Sequence, residues 1–287
     1  MPSSYPPHSG RRSNSGSRDR RSRQQRPFQE FEREQEKHSK WKTFRGHLVA
    51  AASEFIGTTM FLWFAFAGTQ ASAQNGGSAA ATSQGLLFVS LSFGFSLMVT
   101  VWAHYRISGG LFNPAVTLAL AITKNVPWIR SAFLLPAQLL GGIVAAALVK
   151  CMLPGELAVV TRLSEGTSIA QGVFIEAFGT CLLVFVILMV AAEKHETTPL
   201  APVAIGLALF VAELGTVLYT GGSLNPARSF GPSVAEPDFP GYHYIYWFGP
   251  IIGALMASAY YGLCRYNHYW EANPGQDSKG HMSAQKS

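Results

Sequence analysis

Charge is what this chain has least of. Asp, Glu, Lys and Arg make up 13% of its 287 residues, about half the usual share of a soluble domain. The little charge there is lies at one end. Residues 1–47 carry 12 Lys/Arg against 5 Asp/Glu, and the remaining 240 residues carry 10 against 11. The overall +6 therefore belongs to a tail, and the body is nearly neutral. Cysteine is scarce too. Cys151, Cys181 and Cys264 are odd in number and widely spaced, which argues against a disulfide framework or a cysteine metal site. No nucleophile–base pair or metal-ligand cluster is spelled out, and most histidines fall in the tail and loops. An enzyme is not indicated, and no cofactor or metal is implied.

The tail, 1–47, is rich in Ser, Arg, Gln and Pro and poor in aliphatic residues. It cannot bury enough apolar area to offset chain entropy and reads as disordered. No apolar stretch follows the start, so it does not read as a signal peptide. A basic run of this kind suits the anionic lipid of a cytoplasmic membrane face better than nucleic acid.

Long apolar runs are what the body does have. Six of them, at about 48–70, 83–103, 128–150, 169–192, 201–220 and 243–265, are long enough to cross a bilayer as helices. Between the second and third, and between the fifth and sixth, lie "SGGLFNPAVT" (108–117) and "GGSLNPARSF" (221–230). The apolar stretches there, about 113–123 and 225–235, are too short to cross and read as re-entrant half-helices. Asn113-Pro114-Ala115 and Asn225-Pro226-Ala227 would open them. Asparagine suits the cap and proline the first helical position. "EFIGT" at 54–58 matches "EAFGT" at 176–180. The halves thus repeat, and three spans per half make the repeat inverted. The fold class is an all-α membrane protein of six transmembrane helices and two half-helices. A basic N-terminal tail and a 71–85 loop without Lys or Arg place both termini in the cytoplasm, of the plasma membrane or an internal one. Residues 267–287 form a short C-terminal tail.

Inverted repeats place a site at the midplane, between the halves. Two half-helices meeting N-terminus to N-terminus contribute roughly half a positive charge each. That point repels cations, while two asparagine amides face a passing solute oxygen.

These motifs, with "NPARSFGP" at 225–232, resemble those of the aquaporins, or major intrinsic proteins, over about residues 45–270. The long basic tail is similar to those of fungal members. The resemblance implies the aquaporin fold, homotetramers and a passive channel. Its permeants would be water and other small uncharged solutes such as hydrogen peroxide, with protons and ions excluded. Small polyols, or weakened ion exclusion, are the alternatives. It further implies a selectivity filter of Phe93, Glu213, Gly222 and Arg228, carried over by spacing from the motifs. Glu213 stands where water-selective members have histidine. A carboxylate facing a guanidinium is expected to pair with it, with Gly222 leaving room beyond a single water. The other arrangement is a rotated helix that bonds Glu213 to loop backbone. Ser229, where glycerol-conducting members carry Asp, and Tyr246-Trp247 favour the water branch. Glu54 and Glu176 are expected to brace the loop backbone ahead of each half-helix.

Overall fold

The computed structural model describes residues 16–76, 82–195 and 197–273, with side chains from residue 42 onward. Its helices are α1 (Gly16–Gly76), α2 (Ser83–His104), α3 (Pro114–Ile122), α4 (Trp128–Met152), α5 (Ile169–Ile187), α6 (Ala201–Thr220), α7 (Pro226–Ala235), α8 (Ile245–Tyr266) and the single turn α9 (Tyr269–Ala272). No strand occurs among the described residues. Among the described residues, six segments are long and apolar enough to cross a membrane: Lys42–Asn75, Ser83–His104, Trp128–Met152, Ile169–Ala192, Thr198–Thr220 and Ile245–Tyr266. These are the six runs of the sequence, lengthened by a few residues at some ends.

The tail differs from expectation. Backbone helix begins at Gly16, inside the segment read as disordered. Its Arg, Gln, Glu and Lys cannot build a core, yet they are good helix formers, so the composition excludes packing and not helix. Residues 1–15 of that tail, and 274–287 at the other end, lie outside the described residues. Residues from His47 onward form a compact unit of their own.

Within that unit the repeat is written into the packing. α2 crosses α6, α5 lies along α8, and α4 receives α7 while α3 packs on α8 and α4. At the α2–α6 crossing, a Cβ on Gly94 would lie 2.8 Å from the Gly206 carbonyl oxygen, and one on Gly206 would lie 2.6 Å from that of Gly94. Two backbones approach this closely only because neither residue carries a side chain. Gly94 and Gly206 are 112 residues apart, the same offset as Asn113 and Asn225. Glu54 and Glu176 are 122 apart, so the extra ten residues of the first half lie between Glu54 of α1 and Gly94 of α2.

α5 does not end as a plain α-helix. It passes into a π-helical turn, Leu188–Ala192. His195 fastens this end: its Nε2 lies 3.2 Å from the Met189 carbonyl and its Nδ1 accepts from the Thr197 N–H at 3.2 Å. Tyr261 of α8 bonds Glu193, and Arg265 adds an ion pair to Glu193 at 3.5 Å.

Candidate functional site: a passage between two half-helices

Both half-helices start where the sequence places them. Asn113 and Asn225 are the N-caps, with Pro114 and Pro226 at the first helical positions. Each Asn Oδ1 accepts the N–H two residues on, from Ala115 and Ala227, at 2.9 Å. The amides do more than cap. Asn113 Nδ2 donates to the Leu224 carbonyl at 2.8 Å, and Asn225 Nδ2 donates to the Phe112 carbonyl at 2.9 Å. Each Asn therefore holds the opposite half by the residue that precedes that half's cap. One amide hydrogen of each Asn is used in this clasp, and the second remains for a solute.

Phe112 and Leu224 have φ values of +50° and +52°, rare for side-chain-bearing residues. Such a conformation persists only when its surroundings determine it, and here two carboxylates do so. Glu54 accepts from the N–H groups of Leu111 (3.0 Å) and Phe112 (2.7 Å), and from Gln138 Nε2 (2.8 Å). Glu176 accepts from the N–H groups of Ser223 (3.0 Å) and Leu224 (2.7 Å), and from the Thr220 hydroxyl (2.6 Å). The two sets are counterparts in the inverted halves. Both carboxylates are fully buried.

A narrow cavity of about 20 Å³ lies beside this junction, with Asn113, Asn225, Phe93, Glu213 and Arg228 in its wall. A second cavity shares Gly110, Leu111, Val116, Ile187 and Ile205 with it and reaches Tyr105, Arg130 and Lys194. The two adjoin, and both are lined mostly by apolar side chains, with polar groups at a few points.

Arg228 is 3% exposed and held from three sides. Its Nε donates to the Gly222 carbonyl (2.8 Å), one terminal nitrogen to Val159 (2.6 Å) and the other to Gly221 (3.1 Å). Its guanidinium carbon lies 5.1 Å from the Phe93 ring centre and 5.4 Å from that of Phe66. Phe93, Glu213, Gly222 and Arg228 are thus brought together. Val159, in the connection between α4 and α5, and Phe66 are partners that no sequence motif marks. Ser229 belongs to a hydroxyl chain: Thr161 donates to Ser229 (2.9 Å), Ser229 to Ser223 (2.6 Å), and Ser223 to the Asn225 carbonyl (3.1 Å). Tyr246 donates to the Thr220 carbonyl at 2.9 Å.

Glu213 requires a correction. It faces the cavity on α6, yet it makes no ion pair with Arg228 among the described residues. Neither of its oxygens has a hydrogen-bond partner there, and the residue is 0% exposed. Loop carbonyls take the Arg228 donors that the expected pair would have used, and the carboxylate's lack of any hydrogen-bond partner sets aside the alternative of Glu213 bonding that backbone. Gly222 needs correction too. A Cβ built on it would overlap Glu213 Oε2, and its φ is +60°. The space left by the missing side chain is filled by the carboxylate, so Gly222 makes room for Glu213 before it makes room for a solute.

Known proteins resemble this chain. The family model described as "Major intrinsic protein" matches residues 39–261. "Aquaporin-7" of Botryotinia fuckeliana is 54% identical over 241 residues, covering 82% of this chain and 53% of that protein. "Probable aquaporin-3" of Gibberella zeae is 52% identical over 240 residues, covering 82% of this chain and 84% of that one. The chain therefore spans about half the length of some curated relatives and most of others. The X-ray structure of the aquaglyceroporin from Plasmodium falciparum superposes with a TM-score of 0.65 at 19% identity, over 78% of this chain and 99% of that one, which is a likeness of fold. Paired half-helices clasped through their asparagines, the matched family model and relatives at half identity lead to one conclusion: this chain is a multi-pass integral membrane protein of the major intrinsic protein family.

Proposed function

We propose that this protein is a passive channel for water and other small uncharged solutes, with hydrogen peroxide among the candidates. One observation carries the reading: Asn113 and Asn225, from opposite half-helices, line the same cavity as Arg228. The N-terminal ends of α3 and α7 concentrate positive potential there. The free amide hydrogens orient a water by its oxygen, so consecutive waters lose the donor–acceptor chain along which a proton would hop. Arg228 adds a fixed positive charge at the narrow level, and its two uncommitted N–H groups can bind a solute oxygen. The apolar walls let water leave as readily as it enters.

The site residues take these roles. Asn113-Pro114-Ala115 and Asn225-Pro226-Ala227 form the midplane, and Phe93, Glu213, Gly222 and Arg228 form the filter. Glu54 and Glu176 hold the strained turns that aim the asparagines. Both termini face the cytoplasm, supported by the basic tail and the uncharged 71–85 loop. The unit works as a homotetramer, as the family suggests, in the plasma membrane or an internal one, and carries no catalytic centre. Stopped-flow swelling of proteoliposomes tests this. Water permeability should exceed that of protein-free vesicles several-fold with a low activation energy. Rates equal to empty vesicles would refute it.

A further inference from the structure

The second cavity lies where α2 and α5 end and α4 begins, and Arg130 and Lys194 stand in its wall. No Asp or Glu does. Neither base has an acid partner among the described residues. Glu193, the acid next to Lys194 in sequence, is turned to α8, where Tyr261 bonds it and Arg265 pairs with it at 3.5 Å. The first turn of α4 holds Arg130 and no acid, although a helix start is already positive. Two uncompensated positive charges in one concave wall focus a field that draws an anion.

Their donors are mostly uncommitted. Arg130 spends its Nε on His47 Nδ1, at 3.3 Å, which fixes the side chain without neutralising it. Of the five N–H donors of a guanidinium, four remain, on the two terminal nitrogens, in the fork that matches a phosphate edge. Lys194 donates to the Ala191 carbonyl at 2.5 Å, which uses one of its three hydrogens. Its ammonium lies 6.0 Å from the centre of the Tyr105 ring, another wall residue, and that contact keeps it at the cavity. Volume decides where an anion stops. This cavity measures about 290 Å³, against about 20 Å³ beside the asparagine junction. A tetrahedral oxyanion has room in the first and not in the second.

We infer that Arg130 and Lys194 make this cavity a binding site for a phosphate group, free in solution or on a lipid headgroup. The site stands whether or not the passage conducts, because the test reads heat of binding and not flux. The full chain in a neutral detergent is titrated by calorimetry with inorganic phosphate, and with chloride at equal ionic strength as the control. Two charge-assisted contacts set a Kd on the order of 1 mM for phosphate, and chloride should give no saturable heat. Arg130→Gln should weaken phosphate binding about tenfold, the scale of one such contact. Lys194→Gln should weaken it about threefold, the smaller worth of an exposed charge. A water-soluble, short-chain phosphatidylinositol phosphate is titrated in parallel, against phosphatidylcholine of the same chain length. Binding of that lipid at least about tenfold tighter than inorganic phosphate, and weakened in both variants, assigns the site to a headgroup. Equal or weaker binding of the lipid assigns it to free phosphate. No saturable heat from either probe would overturn the inference, as would wild-type affinity in both variants. If Arg130→Gln fails to fold, Lys194→Gln, at an exposed position, decides alone.

Discussion

Replacing Glu176 by Gln should loosen the second half-helix more than any surface change of equal size. The carboxylate accepts from Ser223 N–H, Leu224 N–H and the Thr220 hydroxyl. Gln keeps one oxygen and puts an NH₂ in place of the other. In the less damaging orientation the oxygen keeps Ser223 and Thr220, and the NH₂ meets the Leu224 N–H donor to donor. One charge-assisted bond is lost, about 1.5–3 kcal/mol, and one buried N–H is orphaned, about 1–3 kcal/mol. A combined cost of about 3–5 kcal/mol should lower the melting temperature of the detergent-solubilised protein by on the order of 10 °C. Leu224 also receives the Asn113 amide through its carbonyl, so water flux per folded channel should fall as well. The control is Glu236→Gln, whose partner Lys150 is 3.6 Å away at a largely exposed site, and which should change stability by less than about 1 kcal/mol. If Glu176→Gln melts with Glu236→Gln and conducts like wild type, the carboxylate does not hold the turn.

Asn113→Ala and Asn225→Ala should each cost about 2 kcal/mol, one part for the cap and one for the clasp to the other half. Measured by thermal unfolding, the double variant should be non-additive, because the two bonds share one junction. Gly222→Ala should destabilise by about 1–3 kcal/mol, from the left-handed φ and from overlap with Glu213. Adding Glu213→Ala should recover part of that loss, and no recovery in the double variant would show that the two positions do not compete for space. His243, in the connection ahead of α8, is held below the ordinary histidine range by burial, with Asp238 opposing. Its neutral form is the one folding favours, so its contribution is complete above the ordinary histidine range and is lost as pH falls through that range towards the depressed folded value. Melting temperatures across that interval should therefore fall with acid in wild type and fall less in His243→Gln.

The sequence announces those features that lipid imposes. A span needs about 20 apolar residues whatever its neighbours do, so six runs are visible without a structure. A half-helix needs a cap and a first-turn proline, so Asn113-Pro114 and Asn225-Pro226 mark α3 and α7 to within a residue. The buried carboxylates Glu54 and Glu176 are legible because a charge in such a run must have partners. Hidden are the features that depend on distant neighbours. Nothing about Phe112 or Leu224 as residue types signals a left-handed backbone. The Val159 carbonyl that receives Arg228 lies 69 residues away in a connection with no motif, and that bond diverts the guanidinium from Glu213. Glu213 and Gly222 look like two separate departures from a family pattern. In three dimensions they are one feature, a carboxylate seated on a bare Cα.

The half-helix junction should give a path for water that is not a path for protons. It is tested most directly by measuring both in one preparation: osmotic water permeability by light scattering, and proton flux from an internal pH dye under an imposed pH gradient. Water permeability should lie several-fold above that of protein-free vesicles, with proton flux indistinguishable from theirs. Proton flux rising in step with the amount of reconstituted protein would contradict it, as would water permeability no higher than that of the empty vesicles.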